Sequence, residues 1–217
     1  LTRNTMKALA EEYSHLHLCI AGRLAAVICI VDPLRKEAKA AIRALHACGI
    51  SKVVMMTGDN RKTAQAVARE VGVDQFFAEV LPEDKAAFIR QEKQAGRKVI
   101  MIGDGVNDTP ALSEADAGIA INTGSAIARE VSDITIASED LFELVTLRQL
   151  SQALMKRIHR NYRLIVGLNC TLIALGVAGV IQPTTSALLH NASTLGISLH
   201  SMTDLLEDKD APRQLRA

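Results

Sequence analysis

In the first 150 residues, short apolar runs alternate with segments that carry apolar residues at helical spacing. Residues 53–56 are an apolar run of strand length, and residues 98–102 form a second one after its first residue, Lys98; two helical segments lie between them. Strands separated by helices of this length need crossover connections, which join parallel strands. The sequence therefore predicts an α/β fold, with a Rossmann-like parallel sheet and helices on both of its faces.

Turn and cap residues place the other elements of this part. Asp32 and Pro33 suit the N-cap and the first position of a helix, so that helix is predicted to begin there. The Ala-Gly-Arg turn at residues 21–23 predicts a β-hairpin. The predicted elements are hairpin strands 16–20 and 24–31, helices 32–49, 61–71 and 82–94, and later strands 117–121 and 134–137.

The second part of the chain is helical and divided by charge. A predicted helix over residues 140–163 carries five Arg and Lys residues, and residues 164–181 follow with no charged side chain. After a predicted turn at residues 182–186, residues 187–202 carry no charge apart from histidines. Two such segments with basic residues outside them predict a two-helix transmembrane hairpin with both ends cytoplasmic. A buried helical hairpin in a soluble protein is the alternative.

Composition narrows the classes of partner and site. The formal net charge is +1, which gives no general attraction for nucleic acid, so no nucleic-acid partner is expected. The four cysteines lie far apart and form no Cys-x-x-Cys pair. This spacing favours buried, reduced thiols over disulfides or a zinc site.

Residues 103–108, Gly-Asp-Gly-Val-Asn-Asp, place two carboxylates and an amide at the predicted end of a strand. In open α/β sheets, ligands bind beyond these strand ends. Oxygen ligands of this kind suit Mg²⁺, which binds through one or two carboxylates together with substrate phosphate. Taken alone, the same run also fits a calcium-binding loop or an ordinary Asx turn.

Two further features suit a phosphate group. The run Thr57-Gly58-Asp59 ends the earlier strand, where a hydroxyl and a free amide can hold phosphate oxygens. Asp59 or Asn60 can equally be a helix cap. Lys85 lies in the first turn of a predicted helix, where a cation opposes the helix dipole. This local mismatch favours a purpose such as pairing with a phosphorylated carboxylate.

The motifs TGD, PxDK and GDGxND occur in this order, after a DPxR segment at residues 32–35. In order and wording they resemble the P-type ATPases, members of the haloacid-dehalogenase-like superfamily. The runs MMTGDN and GDGVNDTPALSEADAGIAI resemble the heavy-metal (type IB) branch in particular. That branch also ends with two membrane helices after its phosphorylation domain, and the resemblance covers nearly the whole chain.

The resemblance implies a role for each residue of the last two motifs. Asp104 would bind Mg²⁺, and Asn107 and Asp108 would complete the site and position phosphate. Lys85 would stabilise an acyl phosphate.

The earlier motifs receive implied roles in the same way. Thr57, Gly58 and Asp59 would contact the phosphoryl group and assist its later hydrolysis. Asp32 and Arg35 would lie at the hinge towards the nucleotide-binding domain. ATP is the implied substrate, and a transition-metal cation is the implied cargo.

The implied organisation is that of a multi-pass protein of the cell membrane, with its phosphorylation domain in the cytoplasm. The expected segments are the end of the nucleotide-binding domain with its return strand (1–31), the C-terminal part of the phosphorylation domain (32–140), a cytoplasmic linker helix (141–163), the transmembrane hairpin (164–207) and a cytoplasmic tail (208–217).

One departure from the family pattern matters for activity. The family's nucleophile is the Asp of a DKTGT motif, which is absent from these 217 residues. In the family it lies upstream, so the chain is expected to need a missing N-terminal part and to be inactive alone. Two alternatives stay open: a haloacid-dehalogenase-like phosphatase, and a membrane-anchored, non-catalytic regulatory or metal-binding fragment.

Polar side chains in the predicted hairpin are candidate ligands of the transported metal. Asn169 lies in the first span, and His190, Asn191 and Thr194 lie in the second. Polar groups in membrane helices often mark an ion path, although they also join helices by hydrogen bonds. Imidazole suits several transition metals. The histidine and its neighbours resemble the last helix of some zinc, cadmium, cobalt, iron or manganese exporters more than the copper branch.

Overall fold

The computed structural model describes residues 14–30, 33–103, 106–121, 126–138 and 140–206. The chain divides into two compact units, Leu1–Glu143 and Leu144–Ala217. The first is an α/β unit, and the second consists of long helices.

The α/β unit contains seven strands and five helices within the described residues. In chain order they are β1 Ser14–Ile20, β2 Arg23–Ile30, α1 Ala38–Ala47, β3 Val54–Met56, α2 Arg61–Val71, β4 Gln75–Phe77, α3 Pro82–Gln94, β5 Ile100–Gly103, α4 Thr109–Glu114, β6 Ala117–Ile121, α5 Ala126–Val131 and β7 Ile134–Ile136. A 3-10 turn, Val106–Asp108, precedes α4. Two long helices complete the chain, α6 Phe142–Val177 and α7 Pro183–Ser201.

Strands β1 and β2 form the predicted antiparallel hairpin. Its turn residues, Ala21 and Gly22, have φ angles of 49° and 75°. The register shifts once, between Leu18 and Cys19. A turn with both residues in the left-handed region matches the twist of the two strands, which explains why a short Ala-Gly connection works here.

The other strands are parallel, as predicted. Strand β3 pairs with β4, and β5, β6 and β7 form a second sheet in that order. Within the described residues these are two small, separate sheets, whereas one sheet was predicted. Strand β4 was not predicted, because it depends on parallel pairing with β3, which no local pattern shows.

Helices α2 and α3 have the predicted bounds. The side-chain oxygen of Asn60 accepts a hydrogen bond from the backbone of Thr63 at 3.0 Å and caps α2. The helix ends at Gly72, whose φ of 83° is in the left-handed region that glycine tolerates. Pro82 opens α3, where the missing backbone N–H costs nothing.

The start of the helix predicted from Asp32 and Pro33 is wrong. Helix α1 begins at Ala38, and residues 33–35 are irregular. Pro33 fixes its own φ, but the first turn forms only where the backbone N–H of Ala38 reaches Arg35 O, at 3.1 Å. Asp32 lies outside the described residues.

The core of the α/β unit is built from small and branched apolar side chains. Ile89 of α3 and Leu112 of α4 are the largest fully buried side chains of the described residues. Gly118 of β6 is needed for this packing, because a Cβ atom there would lie 2.6 Å from the carbonyl oxygen of Leu112. Helix α4 is thereby held close to β6, directly after the 3-10 turn.

The helical part differs from the prediction in three ways. The predicted linker helix and first span are one continuous helix, α6, and α7 begins at Pro183 inside the predicted turn. No helix of the described residues is both long and apolar enough to cross a lipid bilayer. The prediction of two membrane-spanning helices is therefore not supported. The uncharged run begins at residue 164, but α6 ends at Val177, so only part of this run is helical. In α7, polar side chains interrupt the apolar sequence.

The four cysteines are free thiols, as predicted. Their predicted burial is wrong for three of them, since Cys19, Cys29 and Cys170 are exposed and Cys48 is half-buried.

Candidate phosphate and magnesium site

Asp108 and Lys85 form a salt bridge with an Nζ–Oδ1 distance of 2.8 Å. Asp108 ends the 3-10 turn that follows β5, and Lys85 lies in the first turn of α3. Asp108 is only 9% exposed, and it is the one buried polar or charged residue among the described residues. A carboxylate so far from water needs a cationic partner, which Lys85 supplies.

The end of strand β5 has a glycine that makes room for this pair. A Cβ atom on Gly103 would lie 2.6 Å from Asp108 Cβ and 2.8 Å from Asp108 Oδ2. Any larger residue would push the carboxylate away from the strand end. This steric role of Gly103 could not be predicted from the sequence, because it depends on how close Asp108 comes in the folded chain.

The position of Lys85 follows from the start of α3. The backbone N–H of Leu81 donates to Asp84 Oδ2 at 3.1 Å, which fixes the first turn. A cation in that turn is opposed by the helix dipole. The carboxylate of Asp108 offsets this cost, so the mismatch seen in the sequence has a partner in the structure.

The Thr57-Gly58-Asp59 turn is organised by internal hydrogen bonds. The hydroxyl of Thr57 donates to Asp59 Oδ2 at 2.7 Å, and the backbone N–H of Asp59 donates to Thr57 Oγ1 at 3.1 Å. Asn60, not Asp59, caps α2. Gly58 and Asp59 are exposed. The turn therefore offers polar groups to solvent at the N-terminal end of α2, a position that favours anions.

The structure describes two of the four remaining predicted site residues. Asn107 is exposed and lies next to Asp108 in the 3-10 turn. Arg35 is exposed, in the irregular segment before α1. Asp104, the predicted Mg²⁺ ligand, and Asp32 lie outside the described residues.

The donor set at the end of β5 fits Mg²⁺. Asp108 presents a carboxylate and Asn107 an amide on consecutive residues, and both are the hard oxygen donors this cation prefers. The Oδ1 atom of Asp108 is bound by Lys85, and Oδ2 faces the glycine at the strand end. No thiolate or imidazole group competes among these residues, so the chemistry favours Mg²⁺ over a softer metal.

A neighbouring hydroxyl was also missed. Thr109 follows Asp108 directly, and its Oγ1 atom is buried without a hydrogen-bond partner in the described part of the chain. Thr109 lies within the 103–121 run that carries the family resemblance, but no role was predicted for it.

The helical unit holds the other predicted group, the candidate transported-metal ligands. Asn169 Oδ1 of α6 and His190 Nδ1 of α7 lie 2.7 Å apart. The hydroxyl of Thr194 donates to the carbonyl oxygen of His190 at 2.9 Å, and Asn191 is exposed. Among the described residues there is no group of three or more His, Cys, Asp and Glu side chains arranged to hold a metal ion.

Comparison with known proteins agrees with the fold and the motif set. The profile of haloacid dehalogenase-like hydrolases matches residues 3–116, more than half of the 217 residues. The chain belongs to the haloacid dehalogenase-like hydrolase family. This confirms the predicted superfamily and the α/β class.

Heavy-metal P-type ATPases are among the proteins similar to this chain, as the motifs predicted. It is 47% identical over 180 residues to the copper-transporting ATPase 2 of Rhizobium meliloti (strain 1021), covering 83% of the chain and 22% of that protein. It is 39% identical over 187 residues to the manganese-exporting P-type ATPase of Mycobacterium tuberculosis (strain CDC 1551 / Oshkosh), covering 86% and 26%. The chain therefore spans about a quarter of the length of these relatives.

A solved structure extends the likeness to most of the chain. The crystal structure of a zinc-transporting PIB-type ATPase in the E2.Pi state matches with a TM-score of 0.78 and 30% identity. The match covers 90% of this chain and 32% of that protein.

Proposed function

We propose that the chain is the magnesium- and phosphate-binding part of a P-type ATPase that moves a transition-metal cation at the expense of ATP. The observation that carries this proposal is the buried Lys85–Asp108 pair at the end of a parallel strand. A buried ion pair adds little stability compared with apolar residues of similar volume. A role in binding or phosphoryl transfer therefore explains this pair better than stability does.

The phosphoryl group would be held from two sides. Asp104, Asn107 and Asp108 would hold Mg²⁺, which when bound neutralises charge on a phosphoryl group in transfer. Lys85 can rotate its ammonium group from Asp108 towards a phosphorylated carboxylate, because a lysine has three donors on a flexible stem.

The other loop would act at the hydrolysis step. Thr57, Gly58 and Asp59 offer a hydroxyl, a backbone amide and a carboxylate in a turn already ordered by its own hydrogen bonds. Such a turn can contact phosphate oxygens and orient water. Asp32 and Arg35, just before α1, would form the hinge to the nucleotide-binding part of the longer protein.

The carboxylate that accepts the phosphate would come from the missing N-terminal part of the same protein. Strand β5 is at the edge of its sheet in the described residues, and its Ile100 and Ile102 are 44% and 39% exposed. An apolar strand with a free edge is suited to pair with one more strand. A strand docked there would end beside Asp108, so the chain alone would form no phosphoenzyme.

The transported cation would be of the zinc, cadmium, cobalt, iron or manganese type. The pair Asn169–His190, with Thr194 one turn further along α7, supplies nitrogen and oxygen donors. Copper(I) is selected by thiolate and thioether ligands, so this donor set favours the other cations. Relatives that transport copper are among the similar proteins, which makes the choice of metal the point to test.

The test uses the complete parent protein in membrane vesicles with a panel of metal cations. We expect ATP hydrolysis to be stimulated by one or more of the zinc-type cations. His190→Ala should lower that stimulation about tenfold or more, because loss of even an outer-shell partner of a metal ligand costs about that much. Asn169→Ala should act in the same direction through the imidazole it contacts.

His200→Ala is the matched control, since it removes a histidine from the same helix that contacts Arg160 instead. Stimulation by copper alone, unchanged by His190→Ala, would reject the proposed choice of metal. The absence of stimulation by every cation would reject transport and favour a regulatory role.

A further inference from the structure

The helical unit has a one-sided charge distribution. Residues 144–203 contain five Lys and Arg residues and no Asp or Glu. All five lie in α6, between residues 148 and 163, before the uncharged run. The positive charge is therefore concentrated on one stretch of one helix.

Three of these basic residues and one histidine form a stripe on α6. Lys156, His159, Arg160 and Arg163 occur at positions i, i+3, i+4 and i+7, which lie on one face of a helix. All four are exposed. We call these four residues the basic stripe.

Two basic residues of α6, one outside the stripe and one within it, form contacts with α7 and its C-terminal end. Arg157, outside the stripe, donates to the carbonyl oxygens of Ser201, Thr203 and Asp204 at 3.0, 2.5 and 2.6 Å, and so satisfies the C-terminal end of α7. Arg160 contacts His200 Nε2 at 2.9 Å.

The charged groups at the two ends of the stripe are exposed to solvent. Arg163 Nε lies 3.4 Å from the carbonyl oxygen of His159 in its own helix, a contact too long to hold the guanidinium away from water. Lys156 is exposed one turn before the stripe's centre. Lys156 and Arg163 are thus the two stripe residues most open to an external anion.

Large apolar side chains are exposed on other faces of the same turns of α6. Ile158, Tyr162 and Leu164 are 48%, 66% and 52% exposed. Cations next to exposed aliphatic and aromatic side chains are the combination found at the surface of a bilayer, where headgroups meet hydrocarbon. Nucleic acid offers the same phosphate charge but no apolar layer to cover these residues.

We propose that the basic stripe binds the phosphate groups of anionic lipids at the bilayer surface. This inference rests on the proposed function only in placing the parent protein at a membrane. It adds a lipid class and a site, formed by Lys156 and Arg163 at the ends of the stripe and by Arg160 between them.

The test is the partition of the full chain onto vesicles of neutral phosphatidylcholine, and onto vesicles that also contain phosphatidylglycerol. We expect the anionic lipid to raise the partition coefficient at low salt and high salt to remove the difference. The double variant Lys156→Gln/Arg163→Gln should lose about 25-fold of the anionic preference, since each basic group near such a surface contributes about fivefold. Its binding to neutral vesicles should be unchanged.

A matched control removes the same two charges elsewhere. Lys39 and Arg43 are exposed on α1, and Lys39→Gln/Arg43→Gln should leave the anionic preference intact. Equal losses in both double variants would show a net-charge effect and overturn the proposal. So would release from anionic vesicles by inorganic phosphate at matched ionic strength, or equal binding to duplex DNA.

The two proposals fail in different ways. Metal-stimulated ATP hydrolysis of the parent protein tests the proposed function, and vesicle partition of this chain tests the lipid site. A stripe variant that keeps its full anionic preference contradicts only the latter.

Discussion

The two units of the chain differ in how much apolar surface they expose. The α/β unit has a buried core around Ile89 and Leu112, and its exposed large apolar side chains lie mainly on β1, β2 and β5. In the helical unit, large apolar side chains are exposed along both α6 and α7, and Ile173 and Val177 reach 66% and 86% exposure. Exposed apolar surface on this scale marks a contact with another molecule or with lipid.

Charge differs between the units in the same sense. The α/β unit pairs its charges, as in Lys85–Asp108, Arg90–Glu114 and Lys98–Asp116. The helices of the second unit carry unbalanced positive charge. The difference between the units agrees with the two proposals, in which the first unit would bind a phosphate group and Mg²⁺ and the second would meet the anionic surface of a bilayer.

The largest stability effect is expected from Lys85→Ala. It would leave Asp108 buried without its cation and lower the local stability of α3 and the 3-10 turn by about 3 kcal/mol. Hydrogen exchange of the α3 backbone amides measures this change without requiring the two units to unfold together.

Arg90→Ala is the control on the same helix. Arg90 pairs with Glu114 at 3.3 Å in a largely exposed position, so its loss should cost at most about 1 kcal/mol. If both variants raise the exchange rates of the α3 amides equally, the buried Lys85–Asp108 pair contributes no more to local stability than the exposed Arg90–Glu114 pair.

Glycine substitutions should have opposite signs in the two units. Gly118→Ala would bring a Cβ atom 2.6 Å from Leu112 O and should destabilise the α/β unit by about 1–3 kcal/mol. Gly176→Ala in α6 meets no atom within 4 Å and should stabilise that helix by at most about 1 kcal/mol, because Gly176 lies next to the helix end. Thermal unfolding of the full chain, monitored separately through its helix and strand signals, distinguishes the effects of the two substitutions. A loss of stability in both would contradict the open surroundings of Gly176.

The smallest expected effect is a loss of folding stability at acidic pH. Lys98 Nζ and the backbone N–H of Val99 donate to Asp116 at 2.9 and 3.0 Å, and they hold the pKa of Asp116 below its ordinary value. Since the pKa is lower in the folded state, these contacts stabilise the fold above the ordinary aspartate pKa of about 3.9. The stabilisation is lost as the pH falls through the folded-state pKa.

Asp116→Asn tests this assignment. Stability of the wild type relative to the variant should be constant near neutral pH and should decrease in acid, as measured by denaturation at a series of pH values. Helices α6 and α7 carry no carboxylate between residues 144 and 203, so their unfolding should show no such acid-dependent decrease. A constant difference down to low pH would contradict the pKa assignment.

The sequence predicted the parts of the fold that have strong local signals. Helices α2 and α3 have their predicted bounds because Asn60, Gly72 and Pro82 act on the backbone next to them. Strand β4 and the true start of α1 were not predicted, because they depend on pairing with β3 and on packing after residue 35, which no local pattern shows.

The candidate site shows the same division. The strand-end position of the 103–108 run could be read from the sequence, since glycine and carboxylate residues follow an apolar strand. The contact of Lys85 with Asp108 joins residues 23 positions apart, and the space that Gly103 leaves for Asp108 depends on tertiary packing. The Asn169–His190 contact likewise needs the two helices side by side.

Phosphorylation of the complete parent protein by labelled ATP tests the central claim most directly. We predict a metal-dependent, acid-stable label that hydroxylamine removes, as for an acyl phosphate. Lys85→Ala and Asp104→Ala should each lower it about 100-fold, the usual cost of losing one preorganised electrostatic contact. Lys98→Ala, which removes an exposed lysine from the same unit, should leave it unchanged. No label with any metal, or full labelling of Lys85→Ala, would contradict the account.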